Sequence, residues 1–142
     1  MTSDDEAPQT AVLTLDPHPA AVRAARELVA RTCAAAGTVT EECDAAVLLA
    51  SELVTNAFIH GRSEARISVR AAGTWVRVEV ADDNSRHPIR VAQDPDALDG
   101  RGMSIVDRVA TTWGVRDDPY GKTIWFEMGP QPGPEPGSTA SP

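Results

Sequence analysis

The segment from residue 38 to residue 61, TVTEECDAAVLLASELVTNAFIHG, predicts one long helix that is apolar on nearly every side. Thr38 and Glu41 have the spacing of a capping box at its start, and Gly61 can end it. At about 100° per residue, one broad apolar face contains Ala46, Val47, Ala50, Leu53, Val54, Ala57 and Phe58. We expect such a helix to be mostly covered by the rest of the chain, because exposing so much apolar surface is unfavourable.

A narrow polar stripe interrupts this helix in its C-terminal half. Glu52, Asn56 and His60 follow one another at i, i+4 spacing within an arc of about 80°. In one interpretation the stripe faces water, with Glu52 and Asn56 bonded to each other. In the other it lines a cavity for a charged ligand, since a carboxylate and a neutral oxygen one turn apart suit hydrated Mg²⁺ and a catalytic base. Periodicity alone does not separate the two.

The rest of the chain predicts the elements that could cover the helix, in the order β-α-α-β-β-loop-α-β-β. Predicted strands cover residues 10–16, 65–71, 74–82, 113–118 and 121–128, and further helices cover 20–37 and 100–114. Gly37 is the expected end of the first helix, and Gly73 the turn of a hairpin. This order indicates an α+β fold: a two-layer sandwich with helices packed on one face of a mostly antiparallel, mixed sheet.

One long loop and two polar ends complete the organisation. Residues 83–99 show no sustained period, and a loop of that length in a small domain is usually functional. Residues 1–9 are polar and acidic, and residues 129–142 are rich in proline, glycine and serine, so we expect both ends to be disordered. A single domain over residues 10–128 remains.

Composition argues against several classes of function. The net charge is −8, and the 13 basic residues, one of them a lysine, form no run, so nucleic-acid binding is not expected. The longest apolar run, residues 45–50, is too short to span a bilayer. The acidic N-terminus does not resemble a signal peptide, which makes the cytoplasm the expected location. Cys33 and Cys43 are expected to be reduced thiols on helices.

Three further stretches carry possible ligand chemistry. Asp82 ends an alternating strand, where its carboxylate could accept a hydrogen bond from a ligand amine. DGRGM (99–103) has two glycines at a loop-to-helix junction, where backbone N–H groups favour phosphate. GKT (121–123) does not complete a P-loop, because that motif requires glycine at position 116, which is Arg116. Each signal is weak alone, since such residues are more often ordinary turn formers.

In sequence order, ELVTNAFIH, VEVADDNS, GRGMSIVDRVA and GKTIWFEM resemble the conserved boxes of the histidine-kinase-like (GHKL) ATPase superfamily. The chain is most similar to the short, single-domain branch of anti-sigma-factor serine/threonine kinases. The resemblance covers roughly residues 10–128, nearly all of the expected domain. It implies an ATP-binding α+β fold that uses Mg²⁺.

The resemblance also implies roles for single residues. Glu52 matches the general base that activates an attacking hydroxyl. Asn56 matches the asparagine that coordinates Mg²⁺, and Asp82 the aspartate that accepts a hydrogen bond from the adenine amino group. The resemblance places further residues at the nucleotide: His60, Asn84, Gly100, Arg101, Gly102, Met103 and Thr123. Of these, Thr123 would lie near adenine, and the glycine junction would lie near the phosphates.

The chain departs from the superfamily at its first glycine box. Where the superfamily has D-x-G-x-G, this chain has Asp82, Asp83, Asn84, Ser85 and Arg86. Asn84 can adopt a positive φ but carries a side chain where the family usually has none. The departure bears on nucleotide affinity and on the mobility of the loop at residues 83–99 more than on the fold.

Two functions of different class follow from the resemblance. The first is a kinase that phosphorylates a serine or threonine of a STAS-type anti-sigma antagonist, which the presence of Glu52 favours. The second is an ATP-loaded module that holds a sigma factor or another partner without transfer, which the altered glycine box favours. A stand-alone ATP hydrolase is less expected, because no transducer segment follows in the sequence. The resemblance also implies a homodimer.

Overall fold

Two long helices lie on one face of a five-stranded sheet in the computed structural model, which describes residues 8–38, 40–61, 64–82, 105–118 and 121–131. The elements in chain order are β1 (Gln9–Leu15), α1 (Pro19–Ala36), α2 (Thr40–Gly61), β2 (Ala65–Ala72), β3 (Trp75–Asp82), β4 (Thr112–Asp118) and β5 (Gly121–Met128). Residues 105–109 are also helical. The strand order is β1-β2-β3-β5-β4.

Every pairing among these five strands is antiparallel. The predicted α+β two-layer architecture is confirmed, whereas the mixed character expected of the sheet is absent from the described strands. The turn at Gly73, with φ of 61°, joins β2 and β3 as the hairpin prediction required. β1 begins at Gln9, inside the stretch 1–9 that was predicted to be disordered.

The core forms between the helices and the alternate residues of each strand that point toward them. α2 packs mainly on β3, with further contacts to β5 and β2, while α1 lies over β1 and β2. The largest side chains that this packing buries completely are Phe126, Leu49, Leu53, Ile67, Val29, Val54, Val69, Val76, Val78 and Val106. Because α2 packs across the central strand β3, the side chains of its C-terminal half lie over one end of the sheet.

α1 has a defined cap at each end. His18 precedes the helix, and its Nδ1 accepts a hydrogen bond from Ala20 N at 3.1 Å. Gly37 adopts the left-handed conformation, with φ of 73°, and its N–H bonds to Ala34 O at 3.1 Å. The predicted helix end at Gly37 is therefore confirmed, because glycine tolerates this conformation at no steric cost.

The start of α2 differs from the capping-box prediction. The helix begins at Thr40, two residues after the expected cap Thr38. Thr38 Oγ1 is buried without a hydrogen-bond partner in the described part of the chain. The N–H of Thr38 instead bonds to Cys33 O at 2.9 Å, which completes the C-terminal cap of α1. Thr38 therefore completes the end of α1, although the local sequence predicts it as the cap at the start of α2.

α2 is covered on one side rather than nearly all round. Its buried residues include Ala46, Leu49, Ala50, Leu53, Val54 and Ala57. Leu48 and Ile59 on the opposite side are each 49% exposed. The expectation that this helix is mostly covered therefore holds for the sides that face the sheet and α1, and fails for the side with Leu48 and Ile59, which these elements do not reach.

Among the described helices, none is long and apolar enough to cross a membrane.

Hydrogen bonds connect the short helix at 105–109, and the chain after β5, to neighbouring parts of the structure. Trp113 Nε1 donates to Asp107 Oδ1 at 2.9 Å, joining β4 to the short helix. Gly129 N donates to Thr111 Oγ1 at 3.0 Å, so order continues past residue 128, although 129–142 was predicted not to pack. The rest of the expected disordered ends falls outside the described residues, at 1–7 and 132–142.

The two cysteines lie on the two long helices, as predicted, and both are free. Burial, reinforced by the neighbouring Cys43 thiol, raises the pKa of Cys33 to about 12. Cys33 is therefore a protonated core thiol at neutral pH, and its role is packing.

A charged network crosses three strands on the outer face of the sheet, away from the helices. Arg77 on β3 forms ion pairs with Glu127 on β5, at 2.6 Å, and with Glu79, at 2.9 Å. Its guanidinium also lies 4.2 Å from the centroid of the Trp125 ring. Arg116 on β4 reaches Glu79 at 3.3 Å. Partial burial favours the neutral form of Glu127, but bonds and charge from Arg77 outweigh it and hold the pKa of this carboxyl below its ordinary value.

We expect Glu127→Gln to lower the free energy of unfolding by about 1–3 kcal/mol at pH 7, because it leaves Arg77 without its shortest ion pair. A carboxyl with a depressed folded pKa stabilises the fold above the ordinary glutamate value of 4.5, and this stability disappears as the pH falls below that value. Urea unfolding from pH 3 to pH 7 should show the difference between wild type and variant shrink in acid. Glu64→Gln, at an exposed site, is the control. A difference that stays constant with pH would contradict the assignment.

Candidate functional site

The C-terminal half of α2 and the end of β3 meet at the same edge of the sheet. Three residues, 62–64, separate the end of α2 at Gly61 from the first residue of β2, Ala65. Ala65 pairs directly with Asp82, the last residue of β3. The polar stripe predicted on α2 therefore approaches the edge at which Asp82 lies.

Asn56 is the buried member of this stripe. Its side chain is on the border of the core-facing side of α2, and the residue is 9% exposed. None of the hydrogen bonds among the described residues involves its carboxamide. Thr38 Oγ1 and Trp75 Nε1 are the described side-chain groups that are fully buried without a partner, and the Asn56 carboxamide is not one of them. The Asn56 carboxamide therefore keeps some contact with solvent and is available to bind a ligand.

Glu52 lies one turn before Asn56 and is half-buried. Among the described residues it forms neither an ion pair nor a hydrogen bond to Asn56. The interpretation in which these two side chains bond to each other is therefore not observed. Glu52 lies between the buried Asn56 and the exposed Leu48 around the helix, so its carboxylate stands at the border between the interior and solvent.

Asp82 and Lys122 form a buried pair of positions at the end of the sheet. They are direct neighbours across β3 and β5, and they are 8% and 7% exposed. Side chains alternate along a strand, so Lys122 shares the helix-covered face with Phe126, and Asp82 shares it with Val80. An acceptor-only and a donor-only group thus stand side by side on the face that α2 covers.

Thr123, which was expected near adenine, lies on the other face of the sheet. Its neighbours across the strands are Ala81 and Arg116, both on the outer face. The structure thus brings Asn56 and Asp82 to one edge but does not bring the Thr123 side chain to their face. Lys122 was not among the predicted site residues, although counting back from the apolar Phe126 in steps of two places it on the helix-covered face.

Several predicted positions lie outside the described residues and keep the status of predictions. The backbone of His60 belongs to α2, but its side chain is not described. The long loop 83–99 is not described either. The same holds for the predicted nucleotide contacts Asn84, Gly100, Arg101, Gly102 and Met103.

The donor set at this edge fits a hydrated magnesium ion and a polar organic ligand. Mg²⁺ binds few protein oxygens and keeps water and phosphate oxygens, which the Asn56 carboxamide oxygen could complement, while the Glu52 carboxylate one turn away could accept a proton. The Asp82 carboxylate can accept from an amino group, and the Lys122 ammonium can donate to a neighbouring acceptor. Across the described ranges, no group of three or more His, Cys, Asp and Glu side chains is placed to hold a metal ion.

Comparisons with known proteins agree with this architecture. The family model for the histidine kinase-like ATPase domain matches residues 15–128. A search of curated protein sequences finds no match. Twelve chains of solved structures match, and among them is a chain of the SiaB–SiaC complex from Pseudomonas aeruginosa. That chain is 11% identical over 83% of this chain and 88% of its own length, with a TM-score of 0.54, so the likeness concerns the fold alone.

We expect Asn56→Leu to leave the free energy of unfolding of the ligand-free protein within about 1 kcal/mol of wild type, because no hydrogen bond in the described part of the chain involves the amide. Thermal unfolding without added ligand measures this. Thr32→Val is the matched control, since the Thr32 hydroxyl bonds to Leu28 O at 2.8 Å and its loss should not stabilise. A loss of more than about 2 kcal/mol in Asn56→Leu would mean that the amide is structural.

Proposed function

The chain belongs to the histidine kinase-like ATPase domain family, and we propose that it is an anti-sigma-factor-type serine/threonine kinase that phosphorylates a STAS-type anti-sigma antagonist. Family membership implies ATP binding. The observation that carries the proposal is the position of buried Asn56 and half-buried Glu52 on α2, at the sheet edge that ends in Asp82. Nucleotide binding alone would not require the Glu52 carboxylate, which reaches solvent beside the Asn56 amide. Its presence therefore favours phosphoryl transfer.

Two of these residues would bind the nucleotide and its metal. The Asp82 carboxylate, which is an acceptor only when ionised, would take a hydrogen bond from the adenine amino group. The Asn56 carboxamide oxygen would hold Mg²⁺. When bound, Mg²⁺ neutralises charge on the phosphate oxygens, which supplies much of the stabilisation that phosphoryl transfer needs.

Glu52 would act on the protein substrate. Its carboxylate takes the proton of the attacking serine or threonine hydroxyl as the oxygen–phosphorus bond forms, and the bond between the γ-phosphorus and the bridging oxygen breaks to release ADP. Its half-buried position is consistent with this task, because the base must face both the nucleotide and a hydroxyl that arrives from solvent. A positioned base contributes about 10²–10⁴-fold to such a rate.

A protein substrate is supported by the surface beside Glu52. Leu48 and Ile59 lie within about 40° of Glu52 around the helix and are half-exposed. Two aliphatic side chains beside the proposed base offer contacts to a partner that a water-consuming hydrolase would not need. We therefore place the antagonist on this side of α2. A sigma factor and a second copy of the chain are the further partners that we propose for the protein.

The second candidate function is an ATP-loaded module that holds a sigma factor or another partner without transferring phosphate. The sequence after Asp82 favours it, because Asp83, Asn84 and Ser85 stand where the superfamily has its glycine box. Side chains in place of glycine restrict the backbone of a loop that would close over the nucleotide.

If Glu52 is the base, Glu52→Ala should bind Mg-ATP within about threefold of wild type, yet transfer phosphate about 10²–10⁴-fold more slowly. Transfer is measured with radiolabelled ATP and a panel of STAS-domain antagonists, and binding by calorimetry. Asp44→Ala, which removes an exposed carboxylate from the same helix, should keep the wild-type rate. A melting curve for each variant shows that it is folded.

Two outcomes would count against the proposal. Transfer near the wild-type rate by a folded, ATP-loaded Glu52→Ala protein would remove the base assignment. ATP binding by wild type without transfer to any antagonist in the panel would instead favour the binding module.

A further inference from the structure

Lys122 occupies a position that is unusual for a lysine. It is the only lysine in the chain, and it is 7% exposed on the helix-covered face of β5. Lysine is rarely buried so completely unless a partner compensates its charge. Within the described part of the chain, no ion pair involves its ammonium group. A role in binding a ligand would account for this placement.

Carboxylates flank Lys122 on both neighbouring strands. Asp82 on β3 and Asp117 on β4 are its direct partners in the sheet. Asp82 is buried and Asp117 is exposed, so the two sides of the lysine differ. Side chains of directly paired residues lie about 5 Å apart at Cβ, so a ligand held by Asp82 comes within reach of the Lys122 ammonium.

We propose that Lys122 is a specificity-determining residue that donates a hydrogen bond to ring nitrogen N1 of adenine. This inference rests on the proposed ATP site, in which Asp82 accepts from the amino group at C6. On the pairing edge of adenine, that amino donor is adjacent to the N1 acceptor. The order of acceptor and donor in Asp82 and Lys122 therefore matches the order of donor and acceptor on the base.

The same pair of residues would reject guanine. At the equivalent positions guanine has an oxygen acceptor at C6 and a hydrogen donor at N1. The oxygen would face the Asp82 carboxylate, and the N1–H would face the Lys122 ammonium. Both charged side chains would then lose their hydrogen bonds to the base, which is more costly than the loss of a single neutral hydrogen bond.

A purely structural role makes a different prediction. If Lys122 only balances the charges of Asp82 and Asp117, its replacement changes stability and affects all nucleotides alike. Base recognition and charge balance can be distinguished by two changes made together. One removes the N1 acceptor from the nucleotide, and the other removes the Lys122 ammonium from the protein. The ligand 1-deaza-ATP carries C–H in place of N1 and otherwise keeps the shape of ATP.

The test measures the affinities of ATP and 1-deaza-ATP, both with Mg²⁺, for wild type and for Lys122→Met by calorimetry. Wild type should bind 1-deaza-ATP about tenfold or more weakly than ATP, the usual effect of one charge-assisted hydrogen bond. Lys122→Met should bind the two ligands equally, and Lys122→Arg, which keeps a donor, should retain part of the discrimination. Equal discrimination in wild type and Lys122→Met would overturn the proposal while leaving the ATP site in place.

A second measurement uses wild type alone, in case Lys122→Met does not fold. With ¹⁵N-labelled lysine, the chain gives a single side-chain ammonium signal, since it has one lysine. We expect ATP to shift this signal, and expect 1-deaza-ATP and inorganic triphosphate to shift it much less. An equal shift with triphosphate would overturn the proposal, because Lys122 would then contact phosphate. Failure of wild type to bind ATP at all would overturn the proposed function together with this inference.

Discussion

The packing of α2 on β3 is the contact on which the rest of the structure depends. It buries Leu49, Leu53 and Val54 against the central strands and fixes the rotation of the helix about its axis. Once that rotation is fixed, residues one turn apart must follow the border of the buried side. Asn56 then falls inside the interface and Glu52 at its margin. The site is thus a consequence of how an amphipathic helix lies on a sheet.

Charges on the two faces of the sheet have different roles. All the ion pairs among the described residues lie on the outer face, where Arg77, Glu79, Glu127 and Arg116 link β3, β5 and β4. On the side of the sheet that the helices cover, Lys122 is buried without an ion pair, and Asn56 is buried without a side-chain hydrogen bond, in the described part of the chain. Polar groups on the outer face satisfy one another, whereas Asn56 and Lys122 keep hydrogen-bonding groups that no described residue uses.

Much of the fold could be predicted from the sequence, because period-two alternation and a few glycines carry it. Alternation identified β1, β2 and β3, and the turn residues at 118–121 marked β4 and β5. Gly37 and Gly73 marked a helix end and a hairpin. The exposure of Leu48 and Ile59 on α2 was not predicted, because periodicity shows that a face is apolar but not whether another element packs on it. The cap at Thr38 was misassigned, because its backbone is used by α1. At the site, motif resemblance pointed to Thr123, whereas strand alternation places Lys122 beside Asp82.

We propose that an adenine nucleotide and its metal bind at the edge formed by α2, β3 and β5. It is tested most directly by a crystal structure of the protein with Mg²⁺ and a non-hydrolysable ATP analogue. We expect the adenine amino group to lie within hydrogen-bond distance of the Asp82 carboxylate, and the Asn56 carboxamide oxygen to lie in the coordination sphere of Mg²⁺. A nucleotide bound on the outer face of the sheet, or a metal that does not contact Asn56, would contradict it.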